Sequence, residues 1–423
     1  MRREPSRAFA SESSASPLMG WKVCRVNQTR CPNCESSGRR RPFYEVQRVP
    51  TNSCLLIETR ARALDFPTGD IMLAVCGECG FIYNATWDSE LTIYSDQYEE
   101  TQGFSATFNA FNRSIAEKLV SSYDIRGKTV LEIGCGKGEF LSVICEIGDN
   151  RGIGYDPSFV PDRQPSKQDI RFVREFFTEK TCEITPDLLC CKMTLEHIGP
   201  TYRFLRSVRS VANCRDSLIF FQVPDVGRIL KEGAFWDVYY EHCSYFSAVS
   251  LEHLFTRTGF TVKRIWTGYG DQYLMILASP AEQASDIASG DAEGITRIID
   301  MCGRFSATAA RSRAAWLNRL RKWAAGGQRT ILWGSGSKAV AFLTTLGVHD
   351  EVEYVVDINP YRVGKFLPGT GQKIVAPAFL REYRPDNVVI MNPVYLREIE
   401  QELARQRCEP RVYTILDFEA EYV

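Results

Sequence analysis

Short apolar runs alternate with amphipathic stretches through the middle of this chain. The run at 130–133 leads into a glycine-rich turn and then into 139–144, where apolar positions recur with the period of a helix. Apolar runs also occur at 187–198 and 218–225, and 251–260 is again amphipathic. This alternation predicts an α/β fold with a mainly parallel sheet, helices on both faces and ligands at the carboxyl ends of the strands.

The turn after the first run carries Gly134, Gly136 and Gly138, behind an acidic Glu132. Glycine lets the backbone turn tightly and approach a ligand, and a carboxylate at the end of the next strand, Asp156, can accept hydrogen bonds from both hydroxyls of a ribose. The turn reads G-C-G-K-G, whereas a dinucleotide site reads G-x-G-x-x-G. An acid beneath the turn suits a cationic ammonium group better than phosphates. We therefore favour S-adenosylmethionine over a nicotinamide cofactor or a purely structural turn.

The stretch at 171–177 predicts a further strand of the same unit. Glu175 and Phe176 near its end could flank an adenine, with the carboxylate on the exocyclic amine and the ring stacked on the base. An ordinary strand end can carry the same residue types, so both interpretations stay open.

A second strand, turn and helix are predicted at 330–346. Gly334, Gly336 and Ala339 fit the pattern G-x-G-x-x-G/A, and Asp357 ends the following strand. Taken alone, this unit predicts a dinucleotide site, and the helix N-terminus could equally hold a diphosphate. The charged, alanine-rich stretch before it predicts a connecting helical segment.

Two C-x-x-C turns lie near the start of the chain, Cys31 with Cys34 and Cys76 with Cys79. Each turn can direct two thiolates at one ion, and two turns complete the tetrahedral four-thiolate set that zinc prefers. Such a site leaves no open position, so we expect a structural zinc. Four unligated thiols in a small core are the alternative, while a redox pair is disfavoured because two pairs are present.

Composition removes several classes of function. The 423 residues carry a net charge of −1, with lysine and arginine spread along the chain, so no electrostatic footprint for nucleic acid or an acidic membrane is evident. No apolar run approaches the roughly 18 residues that a membrane span needs. Many of the 15 cysteines sit within or beside apolar elements, which fits reduced thiols in the cytoplasm.

Two of the four histidines have neighbours that suit catalysis. His197 follows a predicted central strand, and His242 lies in an aromatic-rich stretch beside Tyr239 and Glu241. A histidine is the natural general base near neutral pH, and a neighbouring carboxylate can orient its ring. A packed loop whose polar groups satisfy one another is an equally good interpretation from residue types alone.

The aromatic-rich stretch after Cys79 also has two possible roles. Tyr94 and Tyr98 could line a lid over the first glycine turn and meet the substrate with their hydroxyls. Packing between modules is slightly favoured over that role.

Beyond the first glycine turn, which resembles the leading motifs of class I methyltransferases, the chain resembles the sugar C-methyltransferases. These enzymes carry Y-x-E-H-x-S-Y-F-S in their substrate-binding half, and this chain matches with Tyr239, Glu241, His242 and the run S-Y-F-S at 244–247. Tyr240 stands where the family usually has histidine. The C-terminal segments V-D-I-N-P at 356–360 and L-P-G-T at 367–370 match the family's last domain.

The resemblance implies a domain order and a set of roles. We expect a disordered tail at 1–22, a zinc module at 23–95, a methyltransferase core at 96–280, a helical connector at 281–326 and a Rossmann-like nucleotide-sugar-binding domain at 327–423. By that resemblance His242 is the base that deprotonates carbon beside a carbonyl. Tyr239 and His197 would steady the enolate, and Glu241 would orient His242.

The resemblance also predicts the substrate and the oligomeric state, and other functions are weighed against it. We expect a monomer acting on a small, nucleotide-linked keto-sugar or a related natural-product intermediate, without nucleic acid or membrane partners. An O- or N-methyltransferase is the main alternative. A zinc-ribbon nucleic-acid binder and an oxidoreductase using the C-terminal unit are weaker rivals.

Overall fold

The structure, a computed structural model, describes residues 30–163, 169–182, 184–212, 216–282 and 291–418. The tail expected at 1–22 lies outside these ranges. Among the helices in the described ranges, none is both long and apolar enough to cross a bilayer.

The N-terminal module is built on an antiparallel sheet. Its two long strands lie between the cysteine pairs, and their buried positions face the core of the module. The elements are β1 (Arg40–Pro50), α1 (Arg60–Leu64), β2 (Thr68–Cys76) and β3 (Ile82–Asn84).

The middle unit contains a seven-stranded sheet in the order β10-β11-β8-β7-β4-β5-β6. Five strands are parallel; at one edge β11 runs antiparallel to β8, and the outermost strand β10 runs antiparallel to β11. The predicted mainly parallel sheet is therefore present. The strands are β4 (Thr129–Ile133), β5 (Arg151–Tyr155), β6 (Ile170–Val173), β7 (Leu188–Lys192), β8 (Leu218–Pro224), β9 (Ser244–Tyr245), β10 (Phe260–Gly268) and β11 (Tyr273–Pro280). The helices are α2 (Ala106–Tyr123), α3 (Glu139–Gly148), α4 (Thr201–Val211), α5 (Val226–Glu232) and α6 (Ala248–Arg257).

Strand β9 belongs in sequence to the middle unit but pairs with the N-terminal module. Tyr245 is opposite Ile82, and Ser244 is opposite Tyr83, so β9 is the fourth strand of the module's sheet. The loop just before β9 carries Tyr239 and His242. Hydrogen bonding of β9 therefore fixes the end of that loop to the module.

The last part of the chain begins with a long helix, α7 (Ala292–Ala325), where the sequence predicts a connector. The helix also acts as a core element, because buried Phe305 packs edge-on against Tyr44 of β1, with ring centroids 4.9 Å apart. Trp316, fully buried, packs against Phe342. The helix thus joins the module and the C-terminal unit in one hydrophobic core.

A five-stranded, wholly parallel sheet forms the C-terminal unit, in the order β14-β13-β12-β15-β16. Its elements are β12 (Thr330–Trp333), α8 (Ser337–Leu346), β13 (Tyr354–Val356), β14 (Lys373–Val375), α9 (Leu380–Tyr383), β15 (Asn387–Ile390), α10 (Leu396–Arg405) and β16 (Arg411–Thr414). The second strand, turn and helix are present where the sequence predicts them.

Candidate active site

The four cysteines of the two C-x-x-C turns converge at one point of the N-terminal module. Sγ of Cys31 lies 3.8 Å from Sγ of Cys79, and Sγ of Cys34 lies 3.8 Å from Sγ of Cys76. All four side chains are buried. Tetrahedral Zn–S bonds of about 2.3 Å place sulfurs about 3.8 Å apart, so this donor set fits zinc.

The first glycine turn connects β4 to α3 and needs its glycines. Gly134 and Gly138 have φ of +70° and +84°, a region that costs other residues energy. A Cβ on Gly134 would lie 2.0 Å from Oγ1 of Thr194, and one on Gly138 would lie 2.5 Å from the ring of Phe172. The turn therefore has both the conformation and the close packing that only glycine allows.

Glu132 lies beneath this turn, 2% exposed, and its Oε2 has no hydrogen-bond partner among the described residues. Burial raises the pKa of Glu132 to about 7, although the nearby ammonium of Lys192 favours the charged form. Nζ of Lys192 donates to Oδ1 of Asn112 at 2.6 Å and lies 3.7 Å from the ring centre of Phe140. The carboxylate thus has an unused oxygen that could accept a hydrogen bond from an ammonium group.

Asp156 ends β5 on the opposite side of the turn. Its Oδ2 accepts the backbone N–H of Gly136 at 2.8 Å, and Oδ1 accepts the backbone N–H of Ser158 at 2.7 Å. Oδ1 also accepts the Ser158 hydroxyl at 2.6 Å, so Oδ2 keeps the lone pair that can accept a ribose hydroxyl, and a second ribose hydroxyl on Oδ1 would replace that of Ser158. Glu175 and Phe176 follow β6 and lie at the same cavity.

These residues line the first cavity, which measures about 870 Å³, within the range of small-molecule sites. Tyr94, Tyr98 and His197 lie on its wall too, and a lid role for the two tyrosines stays a prediction.

Four rings form a cluster beside this cavity. The centroid of His242 lies 4.7 Å from that of His197 and 4.1 Å from that of Tyr239. Nδ1 of His197 lies 2.9 Å from the Tyr94 hydroxyl oxygen and 3.1 Å from the Glu241 carbonyl oxygen. The structure therefore brings together the two histidines and Tyr239, which the sequence singled out for catalysis.

The contacts of His197 assign its tautomer. A carbonyl oxygen can only accept, so Nδ1 of His197 carries the proton and donates to Glu241. Burial lowers the pKa of His197 to about 4, which keeps the ring neutral and leaves Nε2 as an acceptor. That His197 steadies an enolate stays a prediction, and in this neutral tautomer its support would pass through the Tyr94 hydroxyl that Nδ1 contacts.

Glu241 also takes a different place from the one expected. Its carboxylate accepts from Asn52 Nδ2 at 3.2 Å, from the Ser53 hydroxyl and from the Ser337 hydroxyl at 3.4 Å. No hydrogen bond joins it to His242 in the described part of the chain. The expectation that Glu241 orients His242 is corrected: the carboxylate ties the loop to the N-terminal module and to α8.

Tyr240, the departure from the family pattern, points away from both histidines. It is 1% exposed, and its hydroxyl accepts the backbone N–H of Asp88 at 2.9 Å. A Cβ on Gly69 would lie 2.3 Å from its ring, so the ring packs directly on β2. Tyr240 is a packing residue between the loop and the module.

The second glycine turn lines a second cavity of about 520 Å³. Gly336 precedes α8 without a side-chain cap, so the first N–H groups of the helix are open to an acceptor. Asp357 accepts the backbone N–H groups of Ser335 at 2.9 Å and Asn359 at 2.8 Å, much as Asp156 does in the first unit. Gly334, Gly336 and Asp357 are thus brought together at one cavity.

The two cavities share a boundary. Glu100, Thr101, Gln102 and Met193 line both. Tyr239 lines the second cavity and His197 the first, while His242, 4% exposed, lies between those two rings. A molecule held in the second cavity could therefore reach the first one beside the ring cluster.

Sequence reasoning missed several buried polar groups of this region. Lys192, Gln222 and Glu196 are all buried near the first cavity or the ring cluster. Lys192 ends the apolar run of β7, and a lysine in such a run could have indicated a buried ammonium group. Glu196 directly precedes His197, and the sequence offered no sign that its side chain would be buried.

Comparison with known proteins identifies the two larger units. A family described as a methyltransferase domain matches residues 108–265, and one described as a C-methyltransferase C-terminal domain matches residues 280–410. This chain is an S-adenosylmethionine-dependent methyltransferase. Its methyltransferase match precedes its C-methyltransferase C-terminal match, and the C-methyltransferase NovU of Streptomyces niveus is 25% identical over 289 residues, which cover 64% of this chain and 68% of NovU.

Solved structures of other methyltransferases are similar to less than half of this chain. The magnesium protoporphyrin IX methyltransferase ChlM of Synechocystis PCC 6803, crystallised with S-adenosylhomocysteine, has 14% identity and a TM-score of 0.34, covering 41% of this chain and 84% of ChlM. The 1,6-didemethyltoxoflavin-N1-methyltransferase of Burkholderia thailandensis has 18% identity and a TM-score of 0.34, covering 43% and 83%.

Proposed function

We propose that this methyltransferase methylates a carbon beside a carbonyl in a nucleotide-linked keto-sugar or a related natural-product intermediate. The observation that carries the proposal is the shared boundary of the two cavities, with the histidine and tyrosine rings beside it. The name of NovU, a C-methyltransferase, supports transfer to carbon.

The first cavity is the proposed site of S-adenosylmethionine. Glu132 would hold the ammonium group through its unused oxygen, and Asp156 would hold the ribose hydroxyls. Glu175 and Phe176 would flank the adenine, with the glycine turn close to the cofactor backbone. When bound, the cofactor supplies an electrophilic methyl group on a cationic sulfur.

The second cavity would hold the nucleotide of the substrate. The free N–H groups at the start of α8 can bind a diphosphate, and the ammonium of Lys338 lies in the first turn of that helix, where it pairs with Asp237. The sugar would then extend past Thr101 and Met193 toward the ring cluster.

Within the cluster, His242 is the proposed base. Burial and the neighbouring His197 lower its pKa well below the ordinary value, so the ring is neutral at physiological pH and can accept a proton. Because Nδ1 of His197 can donate to the Tyr94 oxygen, the Tyr94 hydroxyl keeps its own proton for an enolate oxygen. Tyr239 is the second proposed donor.

The four thiols are the proposed site of one structural zinc ion. Two sulfur pairs 3.8 Å apart, in a buried cluster whose four sulfurs all lie within 4.8 Å of one another, support this assignment. A soluble monomer in the cytoplasm is the proposed cellular form.

Solvent exchange tests the reaction class. A panel of nucleoside-diphosphate ketohexoses is incubated in deuterium oxide with enzyme and S-adenosylhomocysteine, and carbon-bound deuterium is measured by mass spectrometry. We expect exchange at one carbon with wild type and a loss of at least about 100-fold in His242→Ala, the range of general-base contributions. Methyl transfer to oxygen or nitrogen without exchange would contradict the proposal.

A further inference from the structure

Glu196 is a buried carboxylate that no role described so far uses. It lies in the short 3-10 turn Leu195–His197 that follows β7, and it is 1% exposed. Neither of its carboxylate oxygens has a hydrogen-bond partner among the described residues. A buried polar group without a hydrogen-bond partner lowers the stability of the fold, so the presence of a glutamate here needs an explanation.

Three other buried carboxylates have partners for their charge, and Glu132, which keeps one unused oxygen, lies near the ammonium of Lys192. Glu99 pairs with Arg163, Asp237 pairs with Arg228 and Lys338, and Glu241 accepts several hydrogen bonds. Glu196 has no such cation or donor in the described ranges.

Two ionisable groups that lie close to the Glu196 carboxylate are the histidines of the ring cluster. One carboxylate oxygen of Glu196, a ring nitrogen of His197 and a ring nitrogen of His242 all lie within 4.8 Å of one another. This spacing exceeds a hydrogen bond, but side-chain rotation can close it, and catalytic hydrogen bonds often tighten only when substrate binds. Nδ1 of His197 is already committed to Glu241 and Tyr94. Within the described residues, His242 has no such hydrogen bond from its ring.

We infer that Glu196 is the positioning residue of His242, accepting the inward N–H of its imidazole and balancing the imidazolium charge that forms during proton abstraction. The inference rests on the proposed carbon deprotonation. In that step the substrate C–H bond breaks and its electron pair moves onto the carbonyl oxygen as an enolate. The proton goes to the outward ring nitrogen of His242, while the inward N–H is held by the Glu196 carboxylate.

The pair of Glu196 and His242 then controls when the base is competent. The competent form has an ionised carboxylate and a neutral imidazole. Burial raises the pKa of Glu196 to about 8, so at lower pH the carboxyl is protonated and cannot accept the inward N–H. Proton abstraction should therefore rise with pH through the neutral range.

The other titratable groups that face Glu196 stay neutral over that range. Burial raises the pKa of Cys243 and of Tyr273 to about 12, and it raises those of Cys191, Tyr94 and Tyr239 well above their ordinary values. The pKa values of both histidines are lowered. Within this set only Glu196 changes its charge near neutral pH.

The test is the pH dependence of the exchange rate in wild type, Glu196→Gln and Glu196→Asp, between about pH 6 and pH 9. We expect the wild-type rate to rise with pH. Glu196→Gln should lose about 100-fold at the upper end and show a flat profile, because no carboxyl titrates and His242 is neutral throughout. Glu196→Asp should restore a rise with pH. KM and cofactor affinity should stay within about twofold, since Glu196 lines neither cavity.

Matched controls separate this role from packing. Glu117→Gln changes an exposed carboxylate of α2 and should behave as wild type. A structural role would lower the melting temperature of Glu196→Gln and leave the profile unchanged, which would overturn the inference. If wild type exchanges deuterium and Glu196→Gln does so with the same rate and pH profile, the inference about Glu196 fails and the proposed function stands. If wild type shows no exchange, the proposed function fails as well.

Two further measurements need no substrate. Infrared difference spectra of wild type against Glu196→Gln should show a carboxylic acid C=O band that is lost as pH rises through the neutral range. Metal analysis should find the same zinc content in both proteins. A second metal equivalent that Glu196→Gln loses would overturn the inference in favour of a Glu196–His197–His242 metal site.

Discussion

Replacing Tyr240 by phenylalanine should change stability and leave chemistry alone. The position matters because a histidine is usual there in the sugar C-methyltransferases that this chain resembles. In the structure the Tyr240 hydroxyl accepts the backbone N–H of Asp88 at 2.9 Å and donates to the Asp88 carbonyl at 3.4 Å. The ring lies on Gly69, away from the two histidines.

The size of the effect follows from those contacts. Removal of the hydroxyl leaves the partly buried N–H of Asp88 without an acceptor, which typically costs about 1–2 kcal/mol. The phenyl ring keeps its place on β2, so no cavity forms. We expect a melting temperature lower by a few degrees, since about 1 kcal/mol corresponds to about 2–4 °C in domains of 150–250 residues.

The matched variant is Tyr239→Phe, one residue earlier. Tyr239 lines the second cavity and its ring lies 4.1 Å from His242, so loss of its hydroxyl should lower kcat/KM by about 10- to 100-fold with little change in stability. Scanning calorimetry and methyl transfer from labelled cofactor measure both quantities. A drop in kcat of more than about tenfold in Tyr240→Phe, with an unchanged melting temperature, would refute this assignment of the two tyrosines.

Three further predictions follow from the glycine turn, Glu132 and the thiol cluster. Gly134→Ala should be less stable than Gly127→Ala by about 1–3 kcal/mol in urea unfolding, and it should weaken cofactor binding. Both glycines have positive φ, but only a Cβ on Gly134 would meet Thr194. Equal losses of stability in the two variants would contradict this prediction. Cofactor affinity measured by calorimetry should fall as pH drops below about 7, because burial raises the pKa of Glu132 to about 7 and only its ionised form attracts an ammonium, and Glu132→Gln should remove that dependence. Cys76→Ser should lower both the zinc content and the rate of methyl transfer. Cys302→Ser, which changes a buried thiol in α7, should keep both at the wild-type level. A Cys76→Ser protein that retains one zinc per chain would refute the four-thiolate assignment.

Local signals in the sequence predicted the units of the fold well. Glycine turns at 134–138 and 334–336, each followed by an amphipathic helix and an acid at the next strand end, are set by neighbouring residues. Such local patterns survive folding because the turn conformation itself demands the glycines. The cysteine pairs are equally local, and the structure places them at tetrahedral spacing.

Long-range contacts decide the rest, and no local pattern encodes them. Glu241 was expected to face its sequence neighbour His242, but its carboxylate bonds to Asn52, Ser53 and Ser337 from two other units. The unused carboxylate of Glu196 is visible only once β7, β9 and the ring cluster are packed together. A neighbour in sequence is a poor guide to a partner when a loop is shared by three units.

The sharing of that loop connects the distant thiol cluster to the proposed chemistry. Asn33, between Cys31 and Cys34, donates to the Ser250 carbonyl of α6 at 3.0 Å, and α6 follows β9, which ends the loop that carries His242. β3, which follows Cys79, pairs with β9 at the end of the same loop. Loss of order at the four cysteines would therefore release both β9 and the start of α6, and His242 with them. A zinc ion bound by the four thiols would touch no substrate, yet it would act on the proposed chemistry, because it would hold the module against which His242 is positioned.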